Sequence, residues 1–374
     1  MQMGETKRKC GIPNATPRVS ICLPTLNSRP FLQERFETIF GQTFQDWELF
    51  VYDSYSEDGT WEFIQSWANR ETRLRAVQGP REGPYPAWNE CVRQTQGEFV
   101  YIATSDDTMA PDCLERLVSS LEQHPECDLA HCPLVIIDET GLQTTGLRWP
   151  ECTVLGNRNE QLLSRTHVRR APYDGLLHLM GRHVYYSITQ LLIRRLLFDR
   201  IGDFPFNWGA ASDFNWEMKA GLVANTVYVA DTWASWRIHP NQITATTRLT
   251  PSAESERKVE EMIEAGFQQC QQFLDPLVLA ELQAHWLARF RELRRYHRRL
   301  WEKQSTIARW AYRAQQLLAG TETIRSHLIT RALGRPWPES AAREVRHWLE
   351  TVGRGPVINY TRSMSPLASN RPAY

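Results

Sequence analysis

Residues 19–53 read VSICLPTLNSRPFLQERFETIFGQTFQDWELFVYD, and the fold turns on how this stretch is parsed. Its first run, through Pro24, is short, apolar and rich in residues that suit a buried strand. The middle, FLQERFETIFGQ, has helical spacing, with Phe31, Phe36, Ile39 and Phe40 near one face. The last run, WELFVYD, is a second strand ending on an acid, Asp53. Strand, helix and strand in that order begin a βαβ pattern.

The pattern continues outward. GTWEFIQSWAN reads as a helix, RLRAVQ as a third strand, and YPAWNECVRQTQ as a helix closed by Gly97. EFVYIA is a fourth strand. PDCLERLVSSLEQH is a helix with Pro111 in its first turn, and CDLAHCPLVIID is a fifth strand. Alternation of this kind predicts an α/β fold, a mainly parallel sheet covered by helices on both faces. Ligands then bind beyond the carboxyl ends of the strands. Residues 140–185 are less regular and carry many Arg and His. Regularity returns with YYSITQLLIRR, the helix SDFNWEMKAGL, and TVYVADTWASWRIH as strand plus loop. Beyond about residue 250 the composition turns helical, with no strand signal.

Bulk properties narrow the class. With 374 residues the chain holds one large domain and a smaller one. The 43 basic and 43 acidic residues cancel, which removes bulk charge as an argument for nucleic acid. No apolar run reaches the ~20 residues that span a bilayer. The N-terminal stretch has basic residues but no apolar core, so it is not read as a secretory signal. The eight cysteines form no C-x-x-C pair, which favours a reduced, cytoplasmic protein over a zinc or disulfide scaffold.

Two acids stand side by side where the fourth strand stops, Asp106 and Asp107 in ATSDD. Adjacent carboxylates repel and are best compensated by a cation. The competing interpretation is a helix start, because DDTMAPDCLERLV places acids before an amphipathic helix. Asp53 lies at the end of another strand, and that convergence favours a site. The loop after the first strand, PTLNSRPF, contains no glycine, which argues against a dinucleotide fold, a P-loop and a nucleotidylyltransferase. A phosphatase of the aspartyl-phosphate type does not match TSDDT on a fourth strand.

Four blocks in order carry a resemblance. The stretch from VSICLPTLN to SEDGT, then REGPYPAWNECVRQTQGEFVYIATSDDTMAPD, then GAASDFNWEMKAG, and finally WRIHPNQIT resemble the family 2 glycosyltransferases over roughly residues 18–245. That resemblance implies the GT-A fold, a Rossmann-like α/β sheet, here with a C-terminal α-helical extension. It implies an inverting, non-processive enzyme that moves one sugar from a nucleotide-diphosphate sugar to a hydroxyl of a glycan or glycoconjugate. A uridine donor is favoured, and surface-polysaccharide assembly is the expected setting. The polymer synthases of the family carry membrane spans and a Gln-x-x-Arg-Trp phrase, and neither is found here. The implied domains are a tail, residues 1–17, a glycosyltransferase domain, 18–248, divided into a nucleotide-sugar half, 18–138, and an acceptor half, 139–248, and a helical extension, 249–374.

The resemblance also implies roles. Pro24, Thr25 and Asn27 match the segment that touches base and ribose, and Asp53 the acid that accepts from the base imide. Asp58 has a turn role as its alternative. Arg81 matches a loop contact to the nucleotide, and Ser105 lies in the donor-binding phrase. Asp106 and Asp107 match the Asp-x-Asp metal motif, and His239 of the Arg-x-His phrase joins them as metal ligand, with Arg237 beside the diphosphate. The implied cofactor is Mn²⁺ or Mg²⁺. Asp213 matches the catalytic base, against the alternative of a helix cap. Trp208 and Trp216 bracket it, for sugar stacking or for the core. Two departures stand out: Thr104 and Ser212 occupy positions where the family commonly has acids. They motivate an alternative, a catalytically weak or inactive GT-A binding module. The Arg-rich helix 289–299 reads as a solvated face, a partner surface, or a peripheral membrane contact that brings the enzyme to a lipid-linked acceptor.

Overall fold

The computed structural model describes residues 16–144, 165–179, 184–240, 242, 253–288, 290–292, 295, 347 and 359–360. The first half is a regular alternation: β1 (Val19–Thr25), α1 (Arg29–Phe40), β2 (Trp47–Asp53), α2 (Thr60–Ala68), β3 (Leu74–Gln78), α3 (Pro84–Arg93), β4 (Phe99–Ile102) and α4 (Cys113–Gln123). Then follow β5 (Cys127–His131), β6 (Leu134–Ile137), β7 (His167–Arg169), α5 (Tyr173–Leu179), β8 (Leu191–Arg194), α6 (Leu196–Ile201), α7 (Ser212–Val223), β9 (Asn225–Tyr228) and β10 (Ala234–Arg237). Two more helices, α8 (Ala253–Cys270) and α9 (Pro276–Glu281), precede a two-residue strand, β11 (Asn359–Tyr360).

Nine strands form one sheet in the order β11-β7-β9-β5-β8-β4-β1-β2-β3. The pairs β4–β1, β1–β2 and β2–β3 are parallel, so their carboxyl ends line one edge. β8 runs antiparallel between β4 and β5. The side chains follow the two-residue period of a strand covered on both faces. Val19, Ile21 and Leu23 meet Leu32, Phe36 and Ile39 of α1, while Cys22 and Phe50 point to the other layer, with Tyr85, Trp88 and Cys91 of α3. Each fully buried Leu or Phe there contributes roughly 1.5–3 kcal/mol.

Several expectations are corrected. CDLAHCPLVIID is two strands: Pro133, which has no N–H to give a ladder, separates β5 in the large sheet from β6, which pairs in parallel with β10. TVYVADTWASWRIH is likewise two strands, β9 and β10, in different sheets. Phe31 is not on the buried stripe of α1, which consists of Leu32, Arg35, Phe36 and Ile39. Gly97 does not close α3, whose C-cap is Gln94. Its role is close approach, since a Cβ there would stand 2.6 Å from the Ser20 nitrogen of β1. The far end of the chain does hold a strand, β11, antiparallel to β7. The Arg and His of the irregular stretch partly form a buried polar core. Arg169 donates to both oxygens of Asp174 at 2.7 and 3.0 Å, and Tyr185 adds a third bond at 2.8 Å.

The helices after residue 252 share the core of the sheet domain. Met262, Ile263 and Phe267 of α8 pack in the same cluster as Trp216 and Met218 of α7, and Asn215 donates to the Met262 carbonyl at 2.7 Å. Trp286 and Phe290 are buried in it too. Most of residues 1–17 and of the Arg-rich stretch 289–299 lies outside the described residues, as do 249–252.

Helix α7 is held close to α5 by two glycines. A Cβ on Gly221 would stand 2.5 Å from the Gly175 nitrogen, and one on Gly175 2.3 Å from the Leu222 nitrogen. Gly221→Ala is therefore expected to push the helices apart and to destabilise the protein by about 1–3 kcal/mol. A lowered denaturation midpoint measures it, and an unchanged one would mean that the helices do not meet at this distance.

Candidate active site

The carboxyl edge of the parallel strands gathers most of the expected residues. Thr25, Asp53 and Gln78 are neighbours in register at the ends of β1, β2 and β3. Asp53 is 0 % exposed. Four donors converge on it: Thr25 Oγ1 at 3.0 Å and Ser56 Oγ at 2.5 Å reach Oδ1, while the Ser56 N–H at 3.0 Å and Gln78 Nε2 at 2.9 Å reach Oδ2. A carboxylate has about four lone-pair positions, and all are used within the protein. Asp53, the expected reader of a base imide, is thus held in place by Thr25, Ser56 and Gln78.

The neighbouring loops are tied to one another. Asn27 adopts the left-handed region, φ 49°, which Asn tolerates better than most residues. Its N–H donates to Ser56 Oγ at 2.8 Å, and its Oδ1 accepts from the Glu57 N–H at 2.9 Å. Pro24 is half-buried within β1. Arg81 donates to the Ser54 carbonyl at 2.9 Å, to the Tyr55 carbonyl, and to Glu57 at 2.5 Å, so its guanidinium fastens the loop after β2. Asp58 accepts from the Arg29 and Thr60 N–H groups, at 3.0 and 3.1 Å, where α1 and α2 begin. Burial raises its pKa, but hydrogen bonds to Thr60 and Arg29 outweigh that and hold it below the usual carboxylate value.

The loop after β4 is laced to β10. Thr108 and Ser235 exchange bonds, from Thr108 N–H to Ser235 Oγ at 2.7 Å and from Ser235 N–H to the Thr108 carbonyl at 2.9 Å. This brings Asp106 to His239, with Oδ2 and Nε2 3.1 Å apart and both side chains partly accessible. Phe31 of α1 packs on the His239 ring at 4.8 Å between centroids. Ser105 shares a hydrogen bond with Ser28 at 2.8 Å.

Asp107 turns the other way. It is 1 % exposed, accepts from the Arg237 N–H at 2.7 Å, and accepts from Thr104 Oγ1. Burial, then the charge of Asp106, push its carboxyl up to about 7. The expected ligand pair Asp106 and Asp107 is therefore split, one acid toward the opening and one into the protein. Thr104, in the position where an acid was expected, holds the inward one. Arg237 is also spent internally. Its guanidinium donates to the Asp106 carbonyl at 2.6 Å, the Asp138 carbonyl at 3.0 Å and Glu34 at 2.5 Å. It shapes the loop that carries Asp106 and has little left for a diphosphate.

Asp106 and His239 supply a hard carboxylate oxygen and an imidazole nitrogen, a donor set that suits Mn²⁺ or Mg²⁺ when phosphate and water complete the shell. Among the described residues no group of three or more His, Cys, Asp or Glu is arranged to hold an ion. The fit is thus to a metal that shares its shell with a ligand.

Asp213 stands in the first turn of α7. The N-cap is Ala211, with no side-chain cap bond, so Asp213 is not the cap itself. Oδ1 accepts from the Phe214 N–H at 2.7 Å, and the carboxylate also hydrogen-bonds Tyr85. Tyr85 begins α3, the helix that starts just after the end of β3, which places the Asp213 carboxylate at the carboxyl edge of the sheet. Burial pushes Asp213 up to about 6, while the bonds to Phe214 and Tyr85 act in the opposite sense. One turn further on, Glu217 is buried beneath it, and burial and the Asp213 charge raise its pKa well above the ordinary value. Ser212 is buried, its hydroxyl without a hydrogen-bond partner among the described residues. Trp216 is fully buried against Phe204 and Phe198, so it belongs to the core, and Trp208 packs on the same cluster.

Sequence reasoning missed Tyr85, Glu217 and Gln78. Glu217 was visible as an acid four residues after Asp213 on one helix face. Tyr85 lies far from Asp213 in the chain and gives no local signal.

Residues 20–195 match the sequence model of the family described as Glycosyl transferase family 2. Among curated proteins, the putative glycosyltransferase EpsE of Bacillus subtilis (strain 168) is 28 % identical over 132 residues, 35 % of this chain and 48 % of that protein. The poly(ribitol-phosphate) beta-N-acetylglucosaminyltransferase TarS of Staphylococcus aureus (strain Mu50 / ATCC 700699) is 25 % identical over 222 residues, 57 % of this chain and 34 % of that protein. The matches thus span about half of these relatives or less. The crystal structure of S. aureus TarS 1-349 in complex with UDP-GlcNAc superposes with a TM-score of 0.52 and 16 % identity, over 68 % of this chain and 71 % of that one. At that identity the likeness concerns the fold, which is GT-A.

Proposed function

From the match of residues 20–195 to the Glycosyl transferase family 2 model, we propose that the protein transfers one sugar from a nucleoside-diphosphate sugar to an acceptor hydroxyl with inversion. The observation that carries this is the pairing of two acids in different settings at one edge of the sheet. Asp106 is partly accessible beside His239, and Asp213 is buried beside Tyr85. Asp213 takes the proton from the acceptor hydroxyl as that oxygen attacks the anomeric carbon. The bond from that carbon to the diphosphate oxygen breaks on the opposite face, and the nucleoside diphosphate leaves. Asp106 and His239 would hold a divalent cation, which as a Lewis acid neutralises charge on the leaving diphosphate. Arg237 and Thr104 keep Asp106 and Asp107 in their respective directions. The loops joined by Asn27, Ser56 and Arg81 form the floor for the nucleoside.

The acceptor is proposed to be a glycan or lipid-linked intermediate of surface-polysaccharide assembly, by analogy with the named relatives. No helix among the described residues is long and apolar enough to cross a membrane. The six described cysteines are free and buried, which accords with a cytoplasmic setting.

Donor turnover tests the reading. The full chain incubated with UDP-sugars and Mn²⁺ is expected to release UDP, slowly without acceptor and faster with one. A base must be ionised to act, so the rate should rise with pH through about 6, the value to which burial raises Asp213. At pH 5 roughly a tenth of the plateau rate remains. No turnover of any nucleotide sugar at any pH would favour a binding module.

A further inference from the structure

We propose that Phe31 is a positioning residue for His239: its ring, carried on the first turn of α1, holds the imidazole in the orientation that faces Asp106. The proposal rests on the reading above, in which Asp106 and His239 hold a divalent cation, and adds the residue that aims one of the two donors.

By spacing, Phe31 belongs with Phe36 and Ile39, yet the buried stripe of α1 is Leu32, Arg35, Phe36 and Ile39. Phe31 lies outside it, half-buried. Its partner comes from the other end of the domain. The Phe31 and His239 rings are 4.8 Å apart between centroids, at an interplanar angle of 45°. The Arg237 guanidinium carbon stands 5.3 Å from the same Phe31 ring. Glu34, three residues on and so on the same side of the helix, pairs with Arg237 at 2.5 Å. Helix α1 therefore meets the chain at the end of β10 at two points, a ring and a carboxylate.

The imidazole needs this support. His239 lies two residues past Arg237, the last residue of β10. Its backbone is fixed by the Ile238 N–H on the Ile137 carbonyl, at 2.9 Å, and by its own N–H on Gln242 Oε1, at 3.0 Å. Neither bond fixes the ring, which turns about two side-chain bonds. Among the described residues, the hydrogen-bond partner of that ring is Asp106 and its ring contact is Phe31. A single hydrogen bond leaves rotation about its own direction open, and a ring packed against the side closes it. Phe31 is well placed to do so. Its N–H donates to the Ser28 carbonyl at 3.0 Å, Pro30 before it has a fixed φ, and Leu32 after it is fully buried. An imidazole binds metal through a lone pair in the plane of its ring, so ring orientation decides whether the nitrogen can serve. Metal-binding histidines are commonly oriented by a hydrogen bond from the second ring nitrogen. Here packing by Phe31 does that work.

Mn²⁺ binding to the full chain in the presence of UDP tests this, read by electron paramagnetic resonance of the free ion, which follows weak as well as tight binding. Phe31→Ala is expected to weaken Mn²⁺ binding by about 3–10-fold, the span of one aromatic pair. Phe31→Tyr keeps the ring and should stay within about twofold of the parent. If Phe31→Ala fails to fold, Phe31→Leu, which keeps bulk but not the flat face, is read for the same loss. The deciding measurement repeats the substitution in a His239→Ala background. There it should change Mn²⁺ binding by less than about twofold, because the group it positions is gone. A general loosening of α1 would weaken binding by the same factor in both backgrounds. That result overturns the inference, as does a Phe31→Ala variant that binds Mn²⁺ like the parent. A parent that binds no Mn²⁺ with UDP, or a His239→Ala variant that binds it as the parent does, removes the metal reading itself, and this inference with it.

Discussion

Asp213→Asn is expected to lower transfer by about 10²–10⁴-fold while leaving donor affinity at the parent value. The amide is nearly isosteric. Its oxygen still accepts from the Phe214 N–H, and α7 keeps its anchors: Asn215 on the Met262 carbonyl, Trp216 Nε1 on the Gly202 carbonyl at 2.9 Å and Lys219 on the Ile201 carbonyl at 2.6 Å. The helix therefore survives the change and only the proton acceptor is lost. The residual activity should also lose the acidic limb near pH 6, because no titrating base remains. The variant should be no less stable than the parent at neutral pH. A carboxyl whose pKa is raised on folding binds its proton more tightly in the folded state. Its ionisation costs stability as pH climbs from the unfolded value, near 4, through about 6. An uncharged amide escapes that cost. Rate assays over pH 5–8 with a parallel thermal melt measure both effects, and a variant with parent activity would leave Asp213 as a helix-start residue.

Asp106→Asn is the second large loss. The accessible carboxylate paired with His239 is the charge available to a metal–diphosphate complex, whereas Asp107 is committed to Arg237 and Thr104. Removing it should reduce transfer by roughly 10²-fold or more, the scale of losing one group that stabilises leaving-group charge. It should also weaken Mn²⁺-dependent donor binding. The fold should be kept, since among the described residues the Asp106 carboxylate hydrogen-bonds His239, while it is the Asp106 backbone carbonyl, unchanged in the variant, that holds Arg237. Asp107→Asn is the informative contrast. It should act chiefly through stability, because it disturbs a buried acceptor of the Arg237 N–H. Equal loss of activity at equal stability for the two variants would remove the distinction drawn between the two acids.

Much of the fold was legible in the chain. Short apolar runs alternating with helical spacing marked the parallel half of the sheet, from β1 to α4, because strands buried on both faces read as continuous apolar runs and each covering helix buries one stripe, both visible within a single segment. The later strands were less legible. β6 and β10 pair with each other across a hundred residues, and β11 joins β7 across almost two hundred, so neither contact leaves a local mark. Proline at 133 was the available sign that the fifth strand breaks, and it lay inside an otherwise continuous apolar run.

The site divides in the same way. By itself the sequence determined which acids lie at strand ends, Asp53 and Asp106, that a helix start carries Asp213, and that four blocks stand in the order of a known family. Only the tertiary structure decided where each carboxylate points. Asp53 is enclosed by Thr25 and Gln78 from the two neighbouring strands and by Ser56 from the loop that follows β2. Asp106 and Asp107 are adjacent in the chain, yet one meets His239 and the other the Arg237 backbone, partners 133 and 130 residues away. The backbone bends at Ser105 and Asp106, beyond the end of β4, and where each neighbouring side chain ends up depends on what another segment brings to it.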